Sequence, residues 1–155
     1  MGGPSFDATD AHKYFAVECF NSAWGLIDKP ERTASEDEEM LLLSMASTWH
    51  WTMREDCRPA NLAVGYWQIS RVHALLGRAD EARRYGQLSL DACAGEGVDA
   101  FTRGYAYEAL ARAESIAGNR AKVEEYLVEA RRAADEVTDE ESKGWLVDDL
   151  NSMTA

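Results

Sequence analysis

Apolar residues recur along this chain every three to four positions, the period of a helix that buries one face. The first such segment starts near Asp7, where Ala16, Phe20, Ala23, Trp24 and Ile27 fall at i, i+4, i+7, i+8 and i+11. Pro30 ends it, because proline restricts the residue before it and supplies no backbone donor. Ser35 followed by Glu38 has the spacing of a capping box and is expected to open a second helix, which "CRPAN" closes near Cys57. Within it "MLLLSMAS" is apolar around most of its circumference, so this helix is expected to be buried on more than one side. In "TWHW", Trp49 and Trp51 are two apart and point about 200° away from each other on a helix. One tryptophan is therefore expected to pack on each flanking element, with His50 at the margin. A largely exposed tryptophan would instead mark that surface as the one a partner uses.

From residue 60 the pattern tightens and repeats. "NLAVGYWQISRVHALLG" predicts a helix stopped at Gly77, and "DEARRYGQLSLDACAG" the next; "FTRGYAYEALARAESIAG" then stops at Gly118 before "AKVEEYLVEARRAADEV". Thr138 with Glu141 predicts the cap of a last helix, striped by Leu146, Leu150 and Met153. Strand-like alternation is absent. The expectation is an all-α chain of seven helices joined by short turns, with no second domain.

Sliding the chain so that Tyr66 falls on Tyr107 also pairs Ile69 with Leu110, Ser70 with Ala111 and Arg71 with Arg112. Gly77 meets Gly118, Ala82 meets Val123, Tyr85 meets Tyr126, and Ser89 meets Ala130. Large residues match large, small match small, and both glycines fall at a turn, which is the signature of stacked helical repeats. These residues resemble the tetratricopeptide (TPR) repeat. Its sequence of large, small, turn glycine, small, aromatic and small is met by Tyr66, Ser70, Gly77, Ala82, Tyr85 and Ser89. The second copy uses Tyr107, Ala111, Gly118, Val123, Tyr126 and Ala130.

The resemblance spans about residues 63–135. It departs from the family in its spacing of 41 residues, Tyr66 to Tyr107, against the usual ~34. Val123 also stands at a normally small position, and the first hairpin matches only in outline. The implied fold is a TPR-like α-α superhelix of about three antiparallel hairpins and a capping helix. The expected divisions are a flexible terminus over 1–6 and a single domain over 7–153. That domain comprises a divergent hairpin 7–57, repeats 60–96 and 98–137, and a capping helix 139–153.

Composition narrows the chemistry. Twenty-eight acidic against 16 basic residues give a formal charge of −12, with no basic run, which disfavours nucleic acid and anionic membrane surfaces. No apolar run approaches the ~18 residues of a membrane span, and the first residues lack the features of a signal peptide. Cys19, Cys57 and Cys93 are odd in number and widely spaced, as expected of reduced thiols in a cytoplasmic protein. His12, His50, His73 and the cysteines never fall three or four apart, so no metal is expected. GxSxG, GxxxxGK[ST] and GxGxxG are all absent, so neither catalysis nor a cofactor is expected.

The resemblance implies a concave face lined by the first helix of each pair. Carried over by position, its partner-binding residues are Val64, Trp67 and Arg71 in one repeat, and Tyr105, Glu108 and Arg112 in the next. Arg71 and Arg112 are expected to hold an acidic group of a partner. The leading expectation is thus a non-enzymatic adaptor for a protein or peptide segment. A structural homo-oligomer is the alternative, and a small-molecule-binding or enzymatic helical domain the third.

Overall fold

A computed structural model describes residues 2–153. Among these residues there are seven helices and no strand: α1 Ala8–Ile27, α2 Ala34–Thr52, α3 Pro59–Leu75, α4 Ala79–Ala92, α5 Ala100–Ala117, α6 Arg120–Glu136 and α7 Glu140–Asn151. No described helix is long and apolar enough to cross a membrane.

Local chemistry sets the ends. Asp7 opens α1 by accepting from the amides of Thr9 and Asp10, and Pro59 sits in the first turn of α3. Gly77 and Gly118 take positive φ (71° and 77°) at the two repeat turns, a conformation in which a β-carbon is costly. Two expected caps lie elsewhere. Thr33 with Glu36, not Ser35 with Glu38, forms the capping box of α2. Both pairs have the same spacing, and the upstream one lengthens the helix by two residues. At α7 the cap is Asp139 rather than Thr138; its carboxylate accepts from both the amide and the hydroxyl of Ser142. Helix α2 also stops at Thr52, short of Cys57. There Arg54 turns back to pair with Asp56 and to donate to the Thr9 carbonyl at 2.6 Å.

Packing runs between helices close in sequence. The pairs α1/α2, α3/α4 and α5/α6 form hairpins, α2/α3 and α4/α5 join them, and α3 touches α1 and α5. Helix α7 closes the end against α5 and α6. Small buried residues set the approach distances. Ser47, Ser70 and Ser89 donate to the carbonyls of Ala16, Ala82 and Ala63 at 2.6–2.7 Å, each across a helix pair. A serine there occupies little space and has its hydroxyl satisfied in the core. The α4/α5 seam is tied by Arg83, which chelates the buried Glu114 and holds its carboxyl below the usual range.

The α2/α3 seam is tight at Gly65, where an added β-carbon would lie 2.6 Å from the Thr48 hydroxyl. Gly65→Ala is expected to destabilise by about 1 kcal/mol, because overpacking outweighs the gain in helix propensity. In a Thr48→Ala background the same change should become neutral or stabilising. Urea unfolding of the four variants checks this, and additive effects would sink the contact.

Two histidines are expected to make the fold acid-sensitive. His73 is buried and stacks on Tyr85, and burial lowers its pKa. His50 places its Nδ1 2.8 Å from that of His12, so one ring must donate to the other's lone pair. Burial, and then the His12 charge, lower its pKa. The folded state therefore favours neutral rings, while the unfolded chain takes up protons first, near the ordinary value of 6.5. Stability is expected to be full above that pH and to fall as pH drops through the lowered folded values. Urea midpoints at pH 7.5 and 5.0 should differ, and His50→Gln with His73→Gln should shrink the difference.

Candidate functional site

Helices α1, α3, α5 and α7 bound a half-open groove of about 880 Å³. Its wall is a run of aromatic rings contributed by three helices. Phe20 meets Trp24 at 6.4 Å between centroids, Trp24 meets Trp67 at 5.4 Å, Trp67 meets Tyr105 at 5.3 Å, and Tyr105 meets Phe101 at 5.0 Å. Spacing of i, i+4 puts Phe20/Trp24 and Phe101/Tyr105 on single helix faces, so each hairpin adds rings to the same wall. Across from them α7 contributes Trp145, 55% exposed, with Asp148 and Asp149. Val64 and Asp28 complete the rim.

Under the wall lies a buried carboxylate. Glu108 is only 1% exposed; it accepts from Trp67 Nε1 at 3.1 Å and from Arg112 Nε at 2.6 Å, with Arg71 Nη1 at 3.6 Å. Arg112 Nη2 also comes within 2.5 Å of the same oxygen, but without hydrogen-bond alignment, so Nε carries that bond. Burial, and next the charge of Arg112, lower the pKa of Arg71, against the pull of Glu108 and Asp149. Tyr105 donates to Asp149 at 2.7 Å; burial and this bond raise its pKa far above the ordinary range, so the phenol stays protonated. The node thus fixes the orientation of Trp67, and Asp149 that of Tyr105, the two rings at the centre of the wall.

The six residues expected from the sequence are placed unequally. Val64, Trp67 and Tyr105 line the groove together. Glu108 does not meet solvent: it is buried, and its oxygens are taken by the chain's own groups. Arg71 and Arg112 open instead onto a separate recess of about 310 Å³ with Leu75, Ser115, Ile116 and Met153, and their first partner is Glu108. Sequence reasoning missed Phe20, Trp24, Phe101, Trp145, Asp28, Asp148 and Asp149. The i, i+4 aromatic pairs in "FNSAW" and "FTRGY" were a usable signal for three of them, Phe20, Trp24 and Phe101; nothing local announced the α7 residues.

The two tryptophans of "TWHW" also differ from expectation. Trp51 is half-buried, in a crevice with Ala16, Phe20, Val64 and Gly65. Trp49 is 53% exposed, because α1 presents only the edge of His12 to it, so the condition set from the sequence for a partner surface at this tryptophan is met. It continues into an outward aromatic strip through His50, Phe15 and Tyr14. Among the described residues no group of three or more His, Cys, Asp or Glu side chains could hold a metal ion. Comparison with protein-family models, with curated proteins and with solved structures gave no match.

Proposed function

We propose that this chain is a non-enzymatic, TPR-like adaptor that binds a peptide or protein segment in the groove between α1, α3, α5 and α7. The observation that carries this reading is the aromatic wall itself. Six aromatic side chains line one depression, and such rings dominate interface energetics. The stacked hairpins, the turn glycines and the buried small residues at the repeat positions support the TPR-like assignment. The groove's polar groups support binding rather than catalysis: its carboxylates have no histidine or cysteine beside them in the lining, and Tyr105 is held protonated. A cytoplasmic setting fits the three free cysteines, and the charge of −12 argues against nucleic acid and anionic membranes as partners.

The test is selection from a displayed library of random hexapeptides. Sequences retained by the wild type are expected to be lost on Trp67→Ala and on Trp145→Ala. The second variant changes only an exposed ring, so it separates lost binding from lost folding. Selected peptides that bind both variants undiminished would remove the groove assignment.

A second reading is favoured by Trp49. The strip of Tyr14, Phe15 and Trp49 is an exposed aromatic surface on the other side of α1, suited to a homodimer contact. Light scattering is expected to show concentration-dependent mass that Trp49→Ser abolishes; a strict monomer at every concentration removes this reading.

A further inference from the structure

We propose that the segment held in the aromatic groove is basic, carrying a lysine or arginine side chain among apolar neighbours. This deepens the adaptor reading and rests on it. None of the residues lining the groove is Lys, Arg or His, whereas three are aspartates: Asp28, Asp148 and Asp149. Nearby cations are engaged elsewhere. Lys29 pairs with Glu36, Arg32 pairs with Asp37, and Arg71 and Arg112 share Glu108 behind the wall. Among the described residues no basic side chain forms an ion pair with Asp28 or Asp148; Asp149 accepts from the neutral Tyr105 hydroxyl and feels the Arg71 charge only at longer range.

Two further features select positive charge. Asp28 caps the C-terminus of α1, where the helix dipole adds partial negative charge to the carboxylate. The faces of Trp24, Trp67 and Trp145 carry the negative potential that attracts ammonium and guanidinium groups, most strongly for indole. An acidic segment would meet three like charges in a groove with no counter-ion, and a neutral apolar one would cover aspartates without compensating them. The chain's overall charge of −12 acts in the same direction at long range, by steering a basic segment toward it. The preferred charge is therefore opposite to the one that Arg71 and Arg112 suggested from sequence position.

The experiment uses the hexapeptides retained in the display selection. Each is synthesised with its basic residues intact and with those residues changed to glutamine, and titrated against the full chain by tryptophan fluorescence. The retained set is expected to be enriched in Lys and Arg. The glutamine versions should bind at least about tenfold more weakly, and raising the salt concentration should weaken the basic versions alone. An Asp28→Asn/Asp148→Asn double variant should lose about tenfold for the basic peptides and nothing for the glutamine versions; Asp149 is left intact because it holds Tyr105. Groove-dependent peptides with no basic enrichment, or equal affinity for both versions, would overturn the charge preference and leave peptide binding standing. No peptide dependent on Trp67 or Trp145 would overturn both.

Discussion

Glu108→Ala is expected to destabilise the protein by about 3 kcal/mol, the low end for breaking a buried ion pair by removing one partner. The carboxylate is the shared acceptor of Trp67 and Arg112 and lies opposite Arg71. Its loss leaves two guanidiniums, each about a fifth exposed, facing one another without a counter-charge. Their partial access to water is why the low end applies. Glu108→Gln keeps an acceptor for the indole but not the charge, so it should cost less than alanine and more than a surface change. Adding Arg112→Met to Glu108→Ala should restore part of the loss, since the repulsion ends with one of the two cations. Guanidinium unfolding measures all three. Additive costs for the double variant would show that the node is not a unit.

Leu146→Ala is expected to cost a similar amount, about 3 kcal/mol, and to act on one end of the molecule first. Leu146 and Leu150 are fully buried in a cluster with Ala111, Val123, Leu127, Ala130 and Ala134. Gly104 gives Leu146 its seat; a β-carbon there would come within 2.5 Å of the leucine. Because α7 packs only on α5 and α6, truncating its anchor should raise amide exchange throughout α7 before the other helices respond. The groove residues Trp145, Asp148 and Asp149 ride on that helix, so the peptide binding proposed above should weaken in parallel. Unchanged exchange in α7, with a stability loss below about 1 kcal/mol, would mean that its anchoring lies elsewhere.

Residues whose role is local or periodic were legible in the sequence. Gly77 and Gly118 had to be turns, and Ser70, Ser89, Ala111 and Ala130 had to be small because helices cross there. Val64, Trp67 and Tyr105 followed from their places in the repeat. The arginines were misjudged for a geometric reason. Arg71 shares a helix face with Trp67, but four residues advance about 6 Å along the axis, and Glu108 lies between the indole and the guanidinium. Caps shifted by one or two residues because neighbouring side chains offered the same chemistry. Asp148 and Trp145 were out of reach, since their proximity to α1 depends on how helices far apart in sequence are set by everything between them.

The groove brings together parts that helix packing keeps apart. Helix α1 packs only on α2 and α3, and α7 only on α5 and α6, yet both supply lining residues. With no described contact between them, α1 and α7 are expected to open independently of one another. An occupant that touches Trp24 and Trp145 at once would act as a clasp across this gap. It would slow the opening of α1 and α7 together and turn two independent helices into one cooperative unit, so occupancy would be recorded as rigidity far from any single contact.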